Sequence, residues 1–122
     1  MVFNAVCGND DDHVRNHAAV YRHDEKRWRL SPAFDVVPSA VETPTRLVML
    51  LSQGNCEISR AAVLEDATRF GFGSRPDAEK HLDGLLMAIE GAFDAGTGEL
   101  DADWREVLRQ RMVRTVRRLR ST

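Results

Sequence analysis

Three of the four prolines in this 122-residue chain, Pro32, Pro38 and Pro44, fall between Ser31 and Thr45. Proline has no main-chain N–H, fixes its own φ and pushes its predecessor out of the helical region, so neither a helix nor a central strand runs through such a stretch. The cluster divides the chain. Short elements are expected before it, periodic helical patterns after it, and an irregular but structured loop, not a linker, between them.

Before the prolines, Met1 to Cys7 is apolar and has no capping residue, so it reads as the last turns of a helix whose beginning lies outside this sequence. Gly8 to Asn16 is a polar, acidic loop. Ala18 to Arg22 and Arg27 to Leu30 then flank His23-Asp24-Glu25-Lys26 as a short hairpin, with Tyr21 and Trp28 suited to its strands. After the prolines, Arg46 to Leu51 reads as a strand or a buried segment. Ser59 caps a helix expected to run to about Phe70, with Ala62, Val63, Ala67 and Phe70 facing inward and Gly71 and Gly73 ending it.

Ser74-Arg75-Pro76 opens a second helix in the order of cap and early proline, and Leu82, Leu85, Leu86, Ile89 and Phe93 keep helical spacing. A third helix, from about Asp101, sets Trp104, Val107, Leu108, Met112, Thr115, Val116 and Leu119 on one side and arginines elsewhere. No internal repeat or low-complexity segment interrupts this order. The expectation is an α+β chain, mainly helical with one short hairpin, forming a single unit over 1–122 in two parts: loops and hairpin over 1–45, helices over 46–122.

Composition excludes several classes. With 43% hydrophobic and 30% charged residues the chain belongs among soluble globular proteins, and its net charge of −2 argues against direct nucleic-acid binding. Charge is nonetheless polarised, from Asp10-Asp11-Asp12 to seven arginines between Arg105 and Arg120. Cys7 and Cys56 have neither metal-type spacing nor the density of a disulfide scaffold, which fits a reduced cytoplasm. The start of the sequence has no signal-peptide pattern, and the apolar run Leu47 to Leu51 is far too short to cross a bilayer, so no export or membrane anchoring is expected.

The chemistry concentrates in Gly8-Asn9-Asp10-Asp11-Asp12-His13-Val14-Arg15-Asn16 and, after the hairpin, Leu30-Ser31-Pro32-Ala33-Phe34-Asp35. Phosphoryl transfer asks a protein for a carboxylate to take the hydroxyl proton and for oxygen ligands that hold magnesium against the phosphates. In kinases the catalytic-loop aspartate precedes a metal-binding asparagine by five residues, and a second metal aspartate follows further on. Asp11 and Asn16 keep that separation. Five residues beyond Asp10 and Asp12 stand Arg15 and His17, which are not hard-oxygen ligands, so the spacing selects the middle carboxylate. Asp35 comes directly after Phe34, where a kinase places its second metal aspartate, although the glycine of Asp-Phe-Gly is absent.

The pattern Gly-Asn-x-Asp-Asp-His-x-x-Asn, a hairpin, and then Trp-x-Leu-Ser-Pro-Ala-Phe-Asp-x-x-Pro resembles the C-terminal domain of HipA-like serine/threonine toxin kinases. The resemblance is strong from Val2 to Ser39. Beyond that it is one of helical layout around Ile58-Ser59-Arg60. It implies that Asp11 is the catalytic base, that Asn16 and Asp35 hold Mg2+, and that His13 shapes the loop; Arg15 stands where the family usually has lysine. It further implies bacterial toxin-antitoxin modules, serine-bearing protein substrates, and an antitoxin that binds DNA. Lipid kinases share Asp-x-His-x-x-Asn, but Ser-Pro-Ala-Phe-Asp favours the HipA-like assignment.

No Gly-rich phosphate loop and no Val-Ala-Ile-Lys-like strand precede Asp11, and the two lysines, Lys26 and Lys80, lie downstream. The expectation is a C-terminal kinase fragment that needs a separate N-terminal lobe for ATP and is inactive without one. A degenerate interaction module that binds an antitoxin or such a lobe is the alternative, and a stand-alone metal-dependent hydrolase is a third. Simpler readings apply elsewhere. His13 and His17 lie four apart but outside any expected helix, so they are given little weight as a zinc pair. Cys7 is expected to pack, Trp28 and Trp104 to be core, and the last helix to present a solvated basic face.

Overall fold

A computed structural model describes residues 1–39 and 43–121, so residues 40–42 of the proline-rich stretch lie outside it. The element order is α1 (Val2–Cys7), a 3-10 turn (Val14–Asn16), β1 (Ala19–Arg22), β2 (Arg27–Leu30), α2 (Arg60–Glu65), a second 3-10 turn (Ala67–Phe70), α3 (Arg75–Gly96) and α4 (Ala102–Arg120). The chain is mainly helical, with one two-stranded antiparallel sheet in which Tyr21 pairs with Trp28 and Ala19 with Leu30.

α2, α3 and α4 each begin where the sequence provides an acceptor for orphan N–H groups. Ser59 accepts from the Ala62 N–H, Ser74 from Asp77, and Asp101 from Trp104. Pro76 sits in the first turn of α3, where its missing N–H is no loss. α1 ends at Gly8, whose φ of 78° is a left-handed conformation that a Cβ would disfavour.

One apolar cluster joins these elements. Ala5 and Val6 of α1, Leu47, Leu51 and Ile58 of the following segment, Ala62 and Leu64 of α2, Leu82 and Leu86 of α3, and Met112, Val116 and Leu119 of α4 are all buried in it. Arg60 locks its end. The guanidinium pairs with both oxygens of Asp83, at 2.7 and 3.2 Å, and its Nη1 also donates to the Leu119 carbonyl, joining α2, α3 and α4. The segment 46–58 is neither helix nor regular strand: isolated bridges pair Arg46 with Glu57 and Ser52 with Asn55, while Leu47 and Leu51 are buried.

Four expectations are corrected. α2 stops at Glu65 because Asp66 leaves helical geometry and its carboxylate accepts the Gln53 N–H, and the 3-10 turn that follows leaves Phe70 exposed. Trp28 is 67% exposed, because both faces of the hairpin meet solvent and all eight strand residues are exposed. Trp104 is 49% exposed and Val107 is exposed too, because the apolar stripe of α4 meets the core from Met112 onward. The arginines of α4 are not uniformly solvated: Arg111 is 8% exposed and donates to the Ser39 carbonyl, and Arg118 donates to that of Pro44 at 3.2 Å.

Candidate functional site

The left-handed turn at Gly8 throws the chain out of α1 into the acidic loop. Asn9 is buried there, its main-chain N–H on the Asn4 carbonyl at 2.9 Å and its side-chain amide on Asn4 Oδ1 at 3.4 Å. From this anchor the three aspartates diverge. Asp10 and Asp11 are exposed, and Asp12 is fully buried. Asp12 Oδ1 accepts the main-chain N–H groups of Val48 and Met49, at 2.9 and 3.0 Å. The middle carboxylate therefore faces solvent while its C-terminal neighbour is committed to the interior.

Asp11, His13 and Asn16 converge. His13 Nε2 lies 3.7 Å from Asp11 Oδ1, and the Asn16 side chain donates its amide to the Asp11 main-chain carbonyl at 3.2 Å. The turn at Val14–Asn16 brings this about: Asn16 N–H donates to the His13 carbonyl at 3.0 Å, and His17 Nδ1 lies 3.2 Å from the same oxygen. With its amide nitrogen engaged, Asn16 Oδ1 accepts no hydrogen bond among the described residues.

The segment that carries Asp35 is tied beside this loop, but Asp35 itself does not join the group. The segment from Ser31 to Ser39 is tied down at both ends, Ser31 N–H to the Ala18 carbonyl at 2.7 Å and Ser39 N–H to the Gly8 carbonyl at 2.8 Å. Both acceptors flank the acidic loop, so the strap that carries Asp35 lies alongside it. Phe34 and Val36 share with Asp12 and Asn16 the wall of a cavity of about 280 Å³, to which Asn9, His17 and Ser31 also contribute. Asp35 is exposed, is not part of that wall, and among the described residues has no hydrogen bond or ion pair with Asp11, His13 or Asn16. Its φ of 53° is left-handed, a conformation that costs a non-glycine residue about 1–2 kcal/mol and is least unfavourable for Asp and Asn.

A family model described as the HipA-like C-terminal domain matches residues 1–93. The chain belongs to that family. Neither a curated protein nor a solved structure matches it. The HipA-like match takes in the acidic loop, the hairpin, the strap and most of α3, and α4 follows it.

A magnesium ion needs only a few hard oxygens from a protein, because it usually keeps waters and substrate phosphates as its remaining ligands. An amide oxygen at Asn16 and a carboxylate at Asp35 are donors of that kind, and the uncommitted Oδ1 of Asn16 fits the requirement. Among the described residues no group of three or more His, Cys, Asp or Glu side chains is placed to hold a metal ion. His13 and His17 interact through the His13 main chain, not as a ligand pair.

A second cavity, about 530 Å³, lies elsewhere and is lined mainly by apolar side chains including Phe3, Ile89, Phe93 and Leu108. Cys7 borders it. Burial pushes the Cys7 thiol up from its ordinary value, so it is less nucleophilic than a free cysteine. No helix among the described residues is long and apolar enough to cross a membrane.

The buried Asp12 and Arg111 were missed in the sequence. Asp12 is one letter of an acidic run, and its partners lie 36 and 37 residues away, beyond the range of any local pattern. Arg111 is one of a series of arginines, with nothing local to mark it as the one turned inward.

Proposed function

We propose that this chain carries the phosphoryl-transfer loop of a HipA-like serine/threonine protein kinase. The observation that carries the reading is the bond from the Asn16 side chain to the Asp11 main chain, which joins the proposed metal ligand to the proposed base within one exposed loop. Asp11, the open carboxylate of the triplet, accepts the proton of a substrate serine hydroxyl and orients it for attack. His13, with Nε2 beside the Asp11 carboxylate, limits the orientations that the carboxylate samples. Asn16 Oδ1 and the Asp35 carboxylate hold Mg2+. When bound, magnesium would neutralise charge that builds on the transferred group.

The element that holds ATP is not among these residues. It comes from an N-terminal lobe, in the same polypeptide or supplied in trans. The setting is a bacterial toxin-antitoxin module in the cytoplasm, with a protein substrate and an antitoxin partner. In an assembly completed with such a lobe, ATP- and Mg2+-dependent serine phosphorylation is expected, and Asp11→Asn abolishes it while the fold survives. Unchanged transfer by Asp11→Asn contradicts the assignment, and transfer by the 122-residue chain alone contradicts its dependence on a lobe.

A second reading, a non-catalytic module that docks on an antitoxin or a lobe, is favoured by the hairpin, whose Val20, Trp28 and Leu30 are all exposed. Titration with Mg2+ and ATP in the presence of a lobe separates the two. A chain that leaves the assembly unable to bind either ligand belongs to the second class.

A further inference from the structure

We propose that Asp12 is a positioning residue: its carboxylate fixes the acidic loop to the core, and thereby sets the mutual placement of Asp11 and Asn16. This rests on the phosphoryl-transfer reading for its chemical meaning, but its geometry stands apart from that reading. A carboxylate taken entirely out of water is costly unless hydrogen-bonded, and Asp12 is 0% exposed, with Oδ1 held by two main-chain N–H groups at 2.9 and 3.0 Å and Oδ2 buried without a partner among the described residues. The donors stand in a segment anchored to the core. Val48 and Met49 lie between buried Leu47 and Leu51, whose own N–H groups bond to Cys56 and Asn55, at 2.9 and 2.8 Å.

The path from support to site is short and made of directed bonds. From Val48 and Met49 it runs to Asp12 Oδ1, through one peptide to the Asp11 carbonyl, and from that oxygen to the Asn16 side chain at 3.2 Å. Asp12 also forms part of the cavity wall beside Asn16. Asp10, on the other flank, is exposed and has no such link among the described residues. The triplet thus divides its work: Asp11 for the substrate, Asp12 for the frame.

Amide hydrogen exchange and the Asn16 side-chain NMR resonances of the 122-residue chain test this, with Asp12→Ala, Asp12→Asn and Asp10→Ala compared. Asp12→Ala removes the acceptor, so exchange at Val48 and Met49 is expected to accelerate by about tenfold to a hundredfold, and the Asn16 amide resonances to shift. Asp12→Asn keeps an acceptor oxygen and is expected to hold both readouts close to wild type, as is Asp10→Ala. The proposal is overturned if a folded Asp12→Ala frees the Val48 and Met49 amides and leaves Asn16 unmoved. If Asp12→Ala does not fold, Asp12→Asn decides: protected amides with an unshifted Asn16 support the proposal, and protected amides with a displaced Asn16 overturn it. In a transfer-competent assembly, Asp12→Ala is expected to lower kcat by about a hundredfold with little change in the KM for ATP, and Asp12→Asn to restore it. A wild-type assembly that transfers nothing removes the kinase reading and leaves the exchange and NMR outcome to be read on its own.

Discussion

Residues 1–39 and the helices after Ser59 are held together by different means. In the helices the buried side chains are apolar apart from Arg111 and Thr115. In the first region they include Asn4, Asn9 and Asp12, and order comes from bonds between named atoms: Asn9 to Asn4, Ser39 to Gly8, Asp12 to Val48 and Met49. Apolar burial is strong but non-directional, whereas a hydrogen bond fixes both distance and angle. Placing the oxygens of the proposed phosphoryl-transfer loop would need the second kind of force, with the helices supplying the stability against which it works. Arg111 and Arg118 of α4 connect the two, donating to the carbonyls of Ser39 and Pro44.

The comparison predicts that activity and stability can be damaged separately. Asp11→Asn changes an exposed carboxylate whose one ion-pair partner among the described residues is His13, so thermal melting should stay within about 0.5 kcal/mol of wild type. Transfer in a lobe-completed assembly should nevertheless fall by about 10²- to 10⁴-fold. Leu86→Ala does the reverse. Leu86 is fully buried in the middle of α3, and its truncation should cost about 2–5 kcal/mol in urea unfolding. The loop bond from Asn16 to Asp11 should survive in whatever fraction remains folded, as read from the Asn16 amide resonances. A Leu86→Ala protein that is fully stable, or an Asp11→Asn protein that melts early, breaks the division.

How far these regions were legible in the sequence follows from the same physics. The α3 stripe, the caps Ser59 and Ser74 and the start of α4 near Asp101 were readable because helical periodicity and capping are local, within four residues. The hairpin was readable from its strand and turn residues. What it packs against was not: Tyr21 and Trp28 form an edge contact at 5.4 Å with each other instead of entering the core. In the site, the five-residue spacing picked out Asp11 and Asn16, and the structure joins them through one hydrogen bond. The commitment of Asp12 to Val48 and Met49, and of Arg111 to Ser39, depends on contacts 36 to 72 residues apart and left no local trace.

A smaller effect probes the lock between the helices. Arg60's hydrogen bond holds the Asp83 carboxyl below its ordinary range, so the native state takes up that proton less readily than the unfolded chain. The resulting stability is present above the unfolded value and is lost as pH falls through the native one. Asp83→Asn should therefore be less stable than wild type at neutral pH, and the gap should narrow below about pH 4 as wild-type Asp83 takes up its proton. Since Asp83 is half-exposed, the difference is modest. A gap that stays constant down to pH 2 in acid titrations would show that the Arg60 link does not depend on the carboxylate charge.

A small stability effect is also expected at Trp28, the more exposed of the two tryptophans. Trp28→Ala removes the edge contact with Tyr21 and little else, so unfolding should change by at most about 1 kcal/mol. That insensitivity is itself informative. An indole left 67% exposed on the same face of the hairpin as Leu30 contributes little to this chain's own fold, yet it has the chemistry of an anchor residue in protein interfaces. If the hairpin docks on a lobe or an antitoxin, Trp28→Ala should weaken that association by about 2 kcal/mol or more in calorimetry while the chain's own stability hardly moves. If both measurements shift together, the hairpin belongs to the core after all, and the contrast between the two regions is misplaced.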